Sequence, residues 1–200
     1  ITFTNLLGEI KPGYKLANSS YYAKVIIKNC SVSGGRAKGF LIQSQNVTVE
    51  NCKFYGVNLS ALMLCCDLKQ WNEMGPVKNV VIKNNNFEEC GIHYKHLRSG
   101  GIAIGVGHGN ECECIFPRNG VHENIEIINN RFVNMKDSAI FADAVNGLVI
   151  KDNEMLNCCH YKDGRSSEYC YDTVLFNCKN VTIEDNFNSL GDKITVHCEK

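Results

Sequence analysis

Asp67, Trp71 and Glu73 stand in one short stretch of the sequence, and side chains of these types can do sugar chemistry. A flat indole face packs against the apolar face of a pyranose, while a pair of carboxyl groups can act as acid and base across a glycosidic bond. Asp143 is the candidate second acid. His108, in the run Gly105-Val106-Gly107-His108-Gly109-Asn110, and Arg98 supply polar groups for substrate contact. That glycine-rich run follows a strand pattern but opens no helix pattern, so it does not read as a dinucleotide or phosphate loop. Its plain reading is a turn that exposes His108. For any single carboxylate, the competing reading is solvation or turn capping.

The elements that must position these residues emerge from self-similarity along the chain. Six segments align, beginning at Val25, Val47, Val80, Ile125, Leu148 and Val181. In each, the first and third positions are aliphatic and the fifth is Asn or Asp, as in Val47-Thr48-Val49-Glu50-Asn51-Cys52. Alternation followed by a turn residue predicts a strand and a bend. Successive starts are 22, 33, 45, 23 and 33 residues apart, which reads as a unit near 22 with insertions of about ten or one whole extra coil. A stacked coil tolerates such insertions without losing its period. The sixth positions, Cys30, Cys52, Asn85, Asn130, Asn153 and Asn186, are expected to stack as an asparagine ladder, because amides both donate and accept. Two places on, Val32, Phe54, Phe87, Phe132 and Met155 form an expected interior stack that ends at Asn188. A further strand precedes most repeats, as in Ala61-Leu62-Met63-Leu64 and Ala139-Ile140-Phe141. The expected fold is therefore all-β, a right-handed parallel β-helix over residues 1–200 as a single domain, and we expect the segment to come from a longer chain. Leucine-rich repeats are the rival solenoid, but the regular Leu spacing they need is missing.

Aligning the second strands predicts one column of Ser44, Cys65, Val106, Asp143 and Asn177, with Asp67 and His108 two places further along their own coils. Asp67 and Asp143 are then about two coils apart, on the order of 10 Å, near the upper end for an inverting pair. The insertions Asp67–Lys78, Glu89–Gly101, His108–Glu123 and Asn157–Tyr171 hold the only Trp and five of the six His residues, including His93, His96, His122 and His160. Enriched loops of this kind are functional candidates.

Composition narrows the partners. Twenty-one basic and 21 acidic residues cancel, which gives no electrostatic case for nucleic acid or an anionic membrane. A neutral carbohydrate fits better, and no targeting signal or membrane span is readable. The 12 cysteines are fewer than a disulfide-built core requires. Cys112, Cys114, Cys158, Cys159 and Cys170 lie in polar loops where a disulfide or a metal site is open, though the spacings match no common zinc pattern. No cofactor or metal is expected. With no acidic Asp-x-Asp-x-Asp cluster, a calcium-dependent lyase lacks its ligands, although Arg98 and Lys69 are candidate bases for one.

Lys24–Asn157 resembles glycoside hydrolase family 110, the α-1,3-galactosidases with a right-handed parallel β-helix. The most specific stretch is Asp67-Leu68-Lys69-Gln70-Trp71-Asn72-Glu73-Met74-Gly75, similar to that family's Gly-Asp-x-x-x-Trp-x-Glu-x-Gly loop. Gly35-Arg36-Ala37-Lys38-Gly39 looks like its strand entry and brings Arg36 in as a substrate-contact candidate. The resemblance implies an inverting, metal-free hydrolase acting on a terminal galactose-containing glycan at a secreted or cell-surface location. In that reading Asp67, Asp143 and Glu73 are catalytic, and Trp71, His108, Arg98 and Arg36 contact substrate. Ser44 and Cys66 depart from the pattern, standing where acids are expected. The rival classes are a non-catalytic glycan-binding or spacer β-helix, and a polysaccharide lyase.

Overall fold

A computed structural model describes residues 21–66, 75–91, 100–106, 120–160 and 171–199. The described residues wind through six coils of three short strands each. The first coil holds β1 (Val25–Lys28), β2 (Ser31–Gly35) and β3 (Phe40–Ile42), and the second β4 (Gln45–Glu50), β5 (Lys53–Val57) and β6 (Leu62–Cys66). The third holds β7 (Lys78–Lys83), β8 (Asn86–Glu88) and β9 (Gly100–Val106), and the fourth β10 (His122–Ile128), β11 (Arg131–Val133) and β12 (Ser138–Asp143). The last two hold β13 (Val145–Lys151), β14 (Glu154–Leu156) and β15 (Thr173–Phe176), then β16 (Lys179–Glu184), β17 (Phe187–Asn188) and β18 (Val196–Glu199). Every third strand pairs in parallel with its counterpart one coil away, so the coils build three six-stranded sheets. This is the right-handed parallel β-helix expected from the repeats.

The repeat pattern explains itself in this geometry. Its first and third positions face inward: Val47, Val49, Val80, Ile82, Ile125, Ile127, Leu148 and Ile150 are all buried in one continuous core. The fourth faces out, where Glu50 lies 2.7 Å from Lys28 and 3.6 Å from Lys83, and Lys151 lies 3.5 Å from Glu184. The hydrogen bond from Lys28, with the charge of Lys83 beside it, holds the Glu50 carboxyl below its usual range. The fifth position turns the chain. Asn29, Asn51, Asn84, Asn129, Asp152 and Asp185 all adopt φ between 52° and 58°. That left-handed conformation is tolerated best, among residues with a side chain, by Asn and Asp.

The sixth position carries the register. Asn85 donates through Nδ2 to Asn130 Oδ1 at 2.9 Å, Asn130 to Asn153 at 3.1 Å, and Asn153 to Asn186 at 2.8 Å. Each receiving oxygen also accepts the backbone N–H of the donor residue, at 2.9–3.0 Å. The amides reach back as well, donating to the carbonyls of Val49, Ile82, Ile127 and Ile150 at 2.9–3.1 Å. Beside this polar column, Phe54, Phe87 and Phe132 stack nearly face to face, with centroids 4.9 and 4.8 Å apart.

Three expectations need correction. The 45-residue spacing is one coil and not two, because Val80 pairs directly with Ile125; the extra length lies between strands of that coil and before β10. His122 and Glu123 belong to β10, and Gly100 and Gly101 to β9, so the insertions are shorter than the sequence suggested. The second-strand column shifts by one in three places. Cys65 pairs with Gly105, and Asp143 with Phe176, while Val106 faces Cys66. Ile42 pairs with Leu64, which places Ser44 one residue beyond the column. The Ser44 hydroxyl instead donates to the Ala23 carbonyl.

Cys159 is disulfide-bonded. Cys30, Cys52, Cys90, Cys158, Cys178 and Cys198 are free thiols. Among the described residues no helix is long and apolar enough to cross a membrane.

Two substitutions measure what holds the coils. Asn153→Ala removes a buried amide that serves both neighbouring coils and leaves its partners unsatisfied; urea unfolding should show a loss of about 2–4 kcal/mol, against less than about 1 for half-buried Lys151→Ala at the surface. Phe87→Ala, in the middle of the ring stack, should cost about 3–5 kcal/mol in the same measurement, and Phe87→Leu clearly less.

Candidate functional site

The third sheet has two buried faces. Along β6, β9, β12 and β15, Leu62, Leu64, Ile102, Ile104, Ile140, Ala142 and Leu175 point into the solenoid core. The alternate residues Met63, Cys65, Ala103, Phe141, Val174 and Phe176 form a second, separate apolar cluster on the outer face, with Tyr171 packed against it. A solenoid strand with one wet face should alternate apolar with polar residues. Unbroken burial in β6, β12 and β15 therefore marks this face as different from those of the other two sheets.

Among the described residues, Asp143 is the buried carboxylate on that face, Glu199 in register with Phe176 being exposed. It ends β12 with only 2% of its surface exposed, next in the alternation after Phe141. Asn177 fixes its orientation by donating from Nδ2 to Asp143 Oδ1 at 2.9 Å. Asn177 itself is held in a left-handed turn, φ 50°, with its backbone N–H bonded to the Glu199 carbonyl. On the neighbouring strand Gly105 contributes no side chain. Among the described residues, a Cβ built there would come no closer than 3.8 Å to the Asp143 Cβ and 3.9 Å to the Phe141 ring, ordinary contact distances, so the glycine leaves room for about a methyl group beside the carboxylate. Phe176, on the other side, meets Phe141 with ring centroids 5.9 Å apart. Burial, together with the negative charge of nearby Asp143, pushes the Cys178 thiol up to about 11, which keeps it protonated and unreactive.

His122 was expected in a loop and is instead fully buried at the start of β10. Its Nδ1 accepts the Val77 backbone N–H at 3.1 Å, and its Nε2 lies 3.0 Å from the Gly105 carbonyl oxygen. A carbonyl can only accept, so the ring is the neutral Nε2–H tautomer. Burial lowers its pKa in agreement with that form. His160 also serves structure, donating from Nδ1 toward the Met135 and Asn157 carbonyls.

Of the other candidates, Arg36 is exposed in the turn between β2 and β3, three coils from Asp143, or about 14 Å along the stack. Asp67, Trp71, Glu73, Arg98 and His108 lie outside the described residues. The described residues contain no group of three His, Cys, Asp or Glu side chains placed to hold a metal ion. Sequence reasoning missed Gly105 and the clamp of His122. The signal for Gly105 was its place one coil below Asp143 at an outward strand position, where a side chain is the default; the role of His122 left no such trace.

Several known proteins are similar to this chain in sequence. Alpha-1,3-galactosidase A of Bacteroides fragilis is 28% identical over 175 residues, which covers 84% of this chain and 27% of that protein. Alpha-1,3-galactosidase B of Bacteroides thetaiotaomicron is 29% identical over 178 residues, covering 85% of this chain and 28% of the relative. Alpha-1,3-galactosidase A of Akkermansia muciniphila is 31% identical over 126 residues, covering 62% and 19%. The relatives bear the activity named by the resemblance of the Asp67–Gly75 stretch, and the chain spans little more than a quarter of the length of the first of them. A family described as a right-handed β-helix region matches residues 2–124, well over half of the sequence, and this chain belongs to that right-handed β-helix family.

Proposed function

We propose that this chain forms part of a carbohydrate-active β-helix protein, a glycoside hydrolase that cleaves terminal α-galactosyl units with inversion. The observation that carries this reading is the similarity to α-1,3-galactosidases along 84% of the chain. Support from the fold comes from Asp143, a buried carboxylate oriented by Asn177 on an apolar face beside Gly105. Inverting cleavage needs one carboxylic acid to protonate the departing oxygen and one carboxylate to activate water from the opposite side. Asp143 takes one of these roles, and Asp67, two residues beyond Cys65 in the sequence, takes the other. Trp71 stacks on the sugar, Glu73 and His108 orient hydroxyls, and Arg98 and Arg36 contact more distant parts of the glycan. No metal enters this scheme, and a secreted or cell-surface location goes with a glycan substrate.

The full-length protein should hydrolyse an aryl α-galactoside and release the inverted anomer first, as followed by proton NMR. Asp143→Asn and Asp67→Asn should each lower kcat by about 100-fold or more, since each removes a proton-transfer group. Undiminished activity in Asp143→Asn would remove that residue from the mechanism. Galactoside binding without cleavage by the wild type would mark a glycan-binding module, and unsaturated products from a uronate polymer would mark a lyase.

A further inference from the structure

We infer that His122 is the positioning residue of the site: it holds the Gly105 backbone in place beneath Asp143 and so fixes the space in which substrate meets that carboxylate. The inference rests on the hydrolase reading above. His122 stands in a column between the third and first sheets, where it pairs with Val145 on one adjacent coil and lies beside Val77, the residue before the Lys78 that pairs with Glu123, on the other. Those neighbours show that an aliphatic side chain suits the stack. An imidazole there incurs a desolvation cost unless both ring nitrogens are satisfied. Both are, and by backbone groups from opposite ends of the third coil: the Val77 N–H just before β7, and the Gly105 carbonyl near the end of β9. The ring therefore closes that coil on itself.

The Gly105 end of the clamp leads to the site. Gly105 pairs with Cys65 on one side, and on the other a Cβ at its position would meet Asp143 Cβ and the Phe141 ring. Without a side chain, Gly105 has no packing of its own to hold its peptide in place, and glycine is the residue with the most backbone freedom to lose. The hydrogen bond from His122 Nε2 to its carbonyl restrains that peptide from the core side. A shift of the β9 backbone by a fraction of an ångström would change the floor beside Asp143, and misplacements of that order reduce turnover strongly.

The two bonds can be separated by substitution. In His122→Gln the side-chain Nε2 can still donate to Gly105, whereas in His122→Asn the Oδ1 can still accept from Val77 but nothing reaches Gly105. With the full-length protein and an aryl α-galactoside, His122→Asn should lower kcat about 10- to 100-fold with KM little changed, and His122→Gln should stay within about threefold of wild type. Both variants should remain folded by thermal melting. Amide exchange across Gly100–Val106 should accelerate in His122→Asn only. The inference is overturned if both variants keep wild-type kcat, if both lose activity in proportion to the unfolded fraction, or if His122→Gln is the more impaired. A wild type without galactosidase activity would overturn the hydrolase reading instead; unchanged β9 exchange in His122→Asn would then overturn the clamp itself.

Discussion

Parallel strands slide unless something fixes their register, and in this chain the buried amide column does so. Asn130 and Asn153 each accept two hydrogen bonds from one neighbouring coil and donate to both, so a slip by one residue would leave several buried polar groups unpaired at once. The turn that delivers these amides is the left-handed residue just before them, which is why Asn or Asp stands at all six fifth positions. The apolar stack of Phe54, Phe87 and Phe132 adds cohesion, but rings alone would permit rotation and slip. Direction comes from the amides.

Fixed register brings residues far apart in sequence onto one face. Gly105, Asp143 and Phe176 come from three different coils, and Asn177 reaches back from the fifth coil to the fourth to orient Asp143. One residue of slip on any of these strands would turn its outward side chains into the core and bring its core side chains outward. The outer face of the third sheet is thus a direct product of the polar column on the opposite side of the core.

Much of this was legible from the chain. Six strands of the first sheet, the amide column and the ring stack all follow from alternation and from Asn and Phe recurring at fixed offsets. The strands of the second sheet are two to five residues long, too short to show a period, and only the first sheet's repeat located them. The length of the third coil was misread because spacing counts residues and cannot tell an inserted loop from an added turn. The register of the third sheet slipped by one because its strands are apolar on both faces, and a run such as Leu62–Cys66 offers no alternation to align. His122 was assigned to a loop for a related reason: a histidine satisfied by backbone groups carries no sequence mark that separates it from an exposed one.

The polar column is not uniform, and its gradient bears on where a site can be built. In the first two coils its members are Cys30 and Cys52, and a thiol is a weaker donor than an amide. The Cys52 thiol reaches toward the Ile27 carbonyl at 3.7 Å, where each Asn makes the equivalent bond at 2.9–3.1 Å, and burial pushes its pKa up, so it stays protonated. From the third coil onward every member is Asn. Gly105, Asp143 and Phe176 lie on the third, fourth and fifth coils, the span in which amide bonds to amide without interruption. A carboxylate that must be held within a few tenths of an ångström is best placed there, because the coils beneath it are the least able to shift.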